Sequence, residues 1–179
     1  LARTVLSPDE VRRLRALPLG PRERAVVECL WTLRRAEVAA LRWDAVEWAR
    51  GVVYVRGKGD KDALTAMMPE ALVALRVWFE ATGHPAGGRP VFPGPSGRAI
   101  SPQRLEQWVR EIFGRAALLR PRRACHAFRR TFASRYLEAN PEDLVGLKEL
   151  LRHERLETTL DYVFLRVSVL APRLARMKL

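Results

Sequence analysis

Apolar residues recur at helical spacing through the first and last thirds of this chain. Between residues 46 and 68 the period shortens to that of strands. Ser7-Pro8-Asp9-Glu10 predicts a helix start: Ser7 caps, Pro8 suits the first helical position, and Glu10 completes a capping box. That helix is expected over residues 8–17, ended by Pro18-Leu19-Gly20-Pro21. A second helix is expected over residues 22–33, and residues 34–41 continue helical after a break.

Val46-Glu47-Trp48 and Val52-Val53-Tyr54-Val55 are rich in strand formers, and Ala49-Arg50-Gly51 turns between them. Gly57-Lys58-Gly59-Asp60 predicts another turn, with a third strand over residues 63–68. Pro69 opens a helix over residues 69–81, and residues 83–97 form a Gly/Pro-rich loop interrupted by Val91-Phe92. Ser101-Pro102 starts a helix reaching about residue 119. Residues 126–139 form one helix, in which Cys125, Phe128, Phe132 and Tyr136 draw an apolar stripe. Asn140-Pro141 breaks it, and residues 141–151 form the next. A short helix over residues 158–165 and a terminal one over residues 168–177 complete the chain; Val167, Leu170, Leu174 and Met177 make the terminal apolar face. The fold class is therefore mainly α with a small antiparallel β-sheet, an α+β arrangement.

A chain of 179 residues, nearly half of them apolar, fits one domain with a sizeable core. No apolar run approaches the roughly 18 residues needed to span a bilayer, and the first residues do not read as a signal peptide. Two cysteines, Cys29 and Cys125, are too few for a disulfide framework and read as small buried thiols. A cytoplasmic protein fits. Leu1 is not an initiator Met, so a fragment of a longer protein is expected.

The formal net charge of +12 adds a partner to this picture. Four of the 32 basic residues are lysine (Lys58, Lys61, Lys148 and Lys178), leaving 28 arginines. Such a balance favours a polyanion, with nucleic acid ahead of an anionic membrane. Arginine bias also arises from a GC-rich genome, so charge supports the inference without carrying it.

The candidate chemistry lies in two separated basic pieces. Arg34 and Glu37 are three apart and share a helix face; either Glu37 aligns a phosphate-gripping guanidinium, or the two form an ordinary surface ion pair. Lys58 stands between glycines at a hairpin tip, as a mobile proton donor or a solvated turn. His126 and Arg129 share a face beside the Phe128/Phe132 stripe, reading as a phosphate contact or a polar helix edge. Zinc held by Cys125, His126 and His153 is disfavoured, because adjacent Cys and His diverge and no fourth ligand is suitably spaced. Tyr162 is either a half-buried core tyrosine or a nucleophile, the latter requiring cations to stabilise its phenolate.

Order and spacing together are more specific than any one signal. The segments Leu33-Arg34-Arg35-Ala36-Glu37-Val38, Arg56-Gly57-Lys58-Gly59-Asp60-Lys61, His126-Ala127-Phe128-Arg129 and Leu150-Leu151-Arg152-His153 through Asp161-Tyr162 resemble the catalytic domain of the tyrosine recombinases, the phage integrase and Xer family. The resemblance runs from about Ser7 to the end. It implies that Arg34 and Arg129 bind the phosphate and that Lys58 protonates the leaving 5′ oxygen. His126 is a proton acceptor or phosphate contact, His153 bonds a non-bridging oxygen, Glu37 supports the site, and Tyr162 is the nucleophile. It implies no metal and no cofactor. The partner is double-stranded DNA, engaged by a homotetramer of the full-length protein, and the isolated domain is expected to be monomeric. Residues 1–179 would form a single catalytic domain lacking the family's N-terminal core-binding domain.

Two positions depart from the family pattern: Thr32 and Arg152 stand where glycine is common, and neither change removes a chemical group. The function implied is site-specific recombination: metal-independent strand cleavage and rejoining through a 3′-phosphotyrosyl link. The competing readings are a type IB topoisomerase-like enzyme, a DNA-binding module without catalysis, and a generic basic helical protein. The DNA site and the kind of parent recombinase are not encoded in any motif.

Overall fold

The first helix starts where its capping box sets it. In the computed structural model, which describes residues 5–56, 62–118 and 124–152, Glu10 N–H donates to Ser7 Oγ and Ser7 N–H donates to the Glu10 carboxylate. Helix α1 spans Pro8–Ala16, α2 Pro21–Cys29, α3 Arg35–Ala40, α4 Pro69–Ala81, α5 Pro102–Arg115, α6 Ala124–Ala139 and α7 Leu144–Leu151. Three strands lie between α3 and α4: β1 (Val46–Glu47), β2 (Val52–Arg56) and β3 (Asp62–Ala66). They form one antiparallel sheet in sequence order, with Val53 opposite Thr65 and Arg56 opposite Asp62. The architecture is mainly α with a small antiparallel sheet, as the sequence pattern implies.

Three helix boundaries differ from expectation by three or four residues, each for a local reason. Helix α2 ends at Cys29 rather than near residue 33, because Thr32 and Leu33 N–H both turn back to the Cys29 carbonyl. Helix α5 stops at Arg115: Ala117 adopts a left-handed φ of 55°, while its N–H bonds Gly114 O and the Leu118 N–H bonds Phe113 O. This is a Schellman closure without the glycine that would have announced it. Helix α7 begins at Leu144 rather than at residue 141, since Asp143 is the cap and takes the Gly146 N–H at 2.8 Å. On α6 the buried face is Cys125, Ala127, Phe128, Thr131 and Leu137, whereas Phe132 and Tyr136 are only half-buried. The expected helices at residues 158–165 and 168–177, and the turn at residues 57–60, lie outside the described residues.

Phe92, Leu105, Ile112, Phe113 and Phe128 fill the main core with the apolar face of α2. Trp31 meets Phe128 edge-on at 4.8 Å, which locks the turn after α2 against α6. A smaller cluster of Ala133, Leu137, Leu147 and Leu151 fastens α7 to α6. Thr131 closes the fold across its sequence: its hydroxyl donates to Ala127 O at 2.7 Å and accepts the Leu6 N–H at 2.8 Å.

Replacing Thr131 by Val keeps the shape but strands the buried Leu6 N–H. We expect a loss of about 1–3 kcal/mol, whereas Thr131→Ser retains most of the stability. Urea unfolding midpoints of the two variants measure the difference.

Candidate active site

Arg34 is held before its side chain reaches anything. It occupies the cap of α3 with extended backbone, φ −72° and ψ 153°. The Glu37 carboxylate accepts its backbone N–H at 2.6 Å and its Nη1 at 2.9 Å. Glu37 is only 8% exposed, so this is a buried, oriented pair rather than a solvated surface contact. The Arg34 side chain itself remains 41% exposed and available to a ligand.

Arg129 approaches from α6. The start of that helix is fixed by Glu106 on α5, whose carboxylate accepts the Ala124 N–H at 2.7 Å and pairs with Arg35 at 3.4 Å. Negative charge at a helix N-terminus is favourable, because the first N–H groups have no partner within the helix. From this anchored helix Arg129 points inward, only 9% exposed. Its Nη1 donates to the Thr32 carbonyl and its Nη2 to the Leu151 carbonyl. The Thr32 carbonyl is in reach because the chain turns after Cys29. Thr32 keeps negative φ and is buried, so its position does not demand glycine.

The two arginines meet at the end of α7. Arg34 Nη2 donates to the Leu151 carbonyl at 3.2 Å and to the Arg152 carbonyl at 2.8 Å. Leu151 O therefore accepts from both guanidinium groups. The last carbonyls of a helix have no internal partner and carry the negative end of its dipole, so cations settle there. Thr65 on β3 adds a third contact, its hydroxyl 3.5 Å from Leu150 O. The sheet is thereby tied to the same helix end.

Arg34, Glu37 and Arg129 are thus brought together. His126 lies on α6 one turn before Arg129 and is exposed. Lys58, His153 and Tyr162 lie outside the described residues. Among the described residues, no cluster of His, Cys, Asp or Glu is arranged to hold a metal ion. Cys29 and Cys125 are free and buried, and burial pushes both thiols far above the ordinary range.

Two side chains escaped the reading of the sequence. Glu106 gave no motif, being one acid in an amphipathic helix. Arg152 stands where glycine is common in the family pattern, yet it adds a chemical group. It closes α7 in the left-handed conformation, φ 49° and ψ 48°, and its Nη2 pairs with Glu37 Oε2. Burial by itself would raise the Glu37 carboxyl, but the Arg152 charge and the hydrogen bonds from Arg34 and Arg152 outweigh it and hold the carboxyl below its ordinary range. Burial lowers the Arg152 guanidinium, with Glu37 opposing that shift, and an arginine keeps its charge at neutral pH.

Because folding lowers the Glu37 pKa, the unfolded chain binds that proton more readily. The stabilisation is complete above the unfolded value of 4.5 and is lost as pH falls through the lower folded value. Glu37→Gln should cost about 3 kcal/mol at pH 7, leaving Arg152 buried without its counter-charge. Thermal unfolding across pH should show the gap between variant and parent closing below pH ~4.

Comparison with known proteins matches this geometry to relatives. The model of the phage integrase family matches residues 4–167. Tyrosine recombinase XerC of Xanthomonas axonopodis pv. citri is 37% identical over 173 residues, covering 93% of this chain and 56% of its own. Tyrosine recombinase XerC of Xylella fastidiosa strain M23 is 36% identical over 156 residues, covering 86% and 52%. This chain spans about half the length of these curated relatives. Among solved structures, the XerA recombinase superposes with a TM-score of 0.82 at 26% identity, over 98% of this chain and 64% of that one. XerH, in a post-cleavage complex with its palindromic difH substrate, superposes at 0.79 over 97% and 53%; at 22% identity that likeness speaks for the fold. A family match over nearly the whole chain, with both arginines gathered at one helix end, makes this chain a member of the phage integrase family of tyrosine recombinases.

Proposed function

We propose that this chain cleaves and rejoins DNA strands in site-specific recombination, through a 3′-phosphotyrosyl intermediate. The observation that carries the reading is the shared acceptor: Arg34 and Arg129, far apart in sequence, both bond to Leu151 O. Arg34 extends from that point toward solvent, and the adjoining chain continues directly into His153. A phosphate diester placed there would meet guanidinium forks suited to its oxygens.

In this scheme the Tyr162 oxygen attacks phosphorus and the bond to the 5′ oxygen breaks. The phenol proton leaves to His126 or to solvent, and Lys58 supplies the proton taken up by the departing 5′ oxygen. Arg34, Arg129 and His153 neutralise charge on the non-bridging oxygens, since phosphoryl transfer depends chiefly on alignment and charge stabilisation. The 5′-hydroxyl of a second strand then attacks the phosphotyrosyl link and releases Tyr162. One phosphodiester is exchanged for another, so no nucleotide hydrolysis is needed. Exchange between two duplexes calls for four protomers on double-stranded DNA. The excess of arginine serves the general attraction to that polyanion.

Tyr162→Phe should abolish the covalent adduct with labelled half-site DNA on a denaturing gel while leaving DNA affinity intact. An adduct that survives in the variant removes Tyr162 from the mechanism, and binding with no adduct in the parent favours a DNA-binding module.

Lys58→Ala should slow cleavage by about 10²–10⁴-fold, the usual worth of a general acid. A substrate with sulfur in place of the 5′ bridging oxygen should restore the rate, because a thiolate leaves without a proton. Failure of this rescue assigns the proton to another group.

A further inference from the structure

The residue that closes α7 touches Arg34 in two independent ways. Its main-chain carbonyl accepts Arg34 Nη2 at 2.8 Å. Its side chain turns back to Glu37, the carboxylate that holds Arg34 Nη1 at 2.9 Å. Two arginines thus share one buried carboxylate, and one of them also supplies a carbonyl to the other. The Arg152 side chain is only 12% exposed, and its Nη1 is buried without a hydrogen-bond partner among the described residues. Burying a guanidinium with an idle donor is costly, and a non-glycine residue at φ 49° adds backbone strain. Neither feature helps folding, which directs attention to the site they adjoin.

We propose that Arg152 is a positioning residue for strand cleavage: through Glu37 it fixes the guanidinium of Arg34 in the orientation that receives the scissile phosphate. The inference rests on the recombinase reading above and deepens it. The carboxylate lies between Arg34, at the cap of its own helix, and Arg152 at the end of α7. Arg129 from α6 reaches the same helix end, and the remaining nearby acid, Glu106 on α5, is engaged by Arg35 and the Ala124 N–H. With Arg152 in place, Glu37 has two cations to satisfy and remains an anion. Without it, Glu37 is a buried acid facing Arg34 alone, freer to rotate or take up a proton, and Arg34 keeps the Leu151 and Arg152 carbonyls but loses its fixed carboxylate.

The test uses Arg152→Gly, which suits the left-handed backbone and keeps the carbonyl while deleting the guanidinium. Arg152→Lys is the companion that keeps the charge. Carbon-detected titration of the Glu37 carboxyl in the full chain should show its pKa rising in Arg152→Gly and returning part of the way in Arg152→Lys. An unchanged carboxyl overturns the inference, and this readout needs no DNA chemistry. Adduct formation on half-site DNA should slow on the order of tenfold or more in Arg152→Gly, the scale expected when a binding group is misaligned, with DNA affinity preserved. In a Glu37→Gln background the same substitution should add little further loss, because Arg152 acts through that carboxylate. A full additional loss in that background overturns the positioning role, since Arg152 would then act on DNA directly. Absence of any adduct in the parent chain instead defeats the recombinase reading, and the carboxyl titration still decides whether Arg152 governs Glu37.

Discussion

The open end of α7 is the constraint on which the site depends. Every helix finishes with carbonyls that have no internal partner, and proteins usually satisfy them with water or a local closing turn. Here side chains from three other elements do so: Arg34 from the cap of α3, Arg129 from α6 and Thr65 from β3. A helix end that attracts cations because of its dipole becomes a fixture that gathers them. Removing α7 would leave Arg129 buried with one of its carbonyl acceptors gone and Arg34 with only Glu37. The small cluster of Leu137, Leu147 and Leu151 therefore matters beyond its area, because it seats the helix that organises the charges.

Gathering guanidinium groups is electrostatically unfavourable unless something offsets their repulsion. Carbonyl dipoles offset part of it, and Glu37 offsets more by serving Arg34 and Arg152 together. Among the described residues the balance leaves Arg34, Arg129 and Arg152 beside Glu37 around the helix end, a surplus suited to a ligand with negative oxygens. A pocket fully neutralised by its own carboxylates would hold its shape equally well and would have no electrostatic reason to admit a phosphate. The partial exposure of Arg34, against the burial of Arg152, separates a group that can meet a ligand from one that holds the frame.

Much of this was legible in the sequence because the relevant signals are local. Ser7 and Glu10 define a cap, the valines of β2 define a strand, and Pro69 opens a helix of the expected length. The pairing of Arg34 with Glu37 was also legible, although spacing alone could not separate a buried pair from a surface one. What stayed hidden was non-local or lacked its usual residue. Helix α5 closes on Ala117 and α7 on Arg152, where glycine would have marked the stop. The α6 stripe of Cys125, Phe128, Phe132 and Tyr136 does pack on the core, but small residues such as Ala127 and Thr131 are buried beside it without announcing themselves. The convergence on Leu151 could not be inferred from composition at all, because the acceptor is a main-chain carbonyl and any residue has one.

That last point explains why one position can alter the site without belonging to a recognisable motif. A glycine at residue 152 would supply the same left-handed backbone and the same carbonyl to Arg34, at lower strain. An arginine supplies these and a side chain that returns to the carboxylate on the far side of the same guanidinium. The geometry of Arg34 is then set from one residue by two routes of different chemistry, a dipole and an ion pair. His153 follows Arg152 directly in the sequence. The sequence carrying the remaining candidate groups therefore follows on from the residue whose carbonyl accepts Arg34 Nη2. Backbone conformation at residue 152 thus links the orientation of the phosphate-binding side chains to the point from which the His153–Tyr162 segment departs.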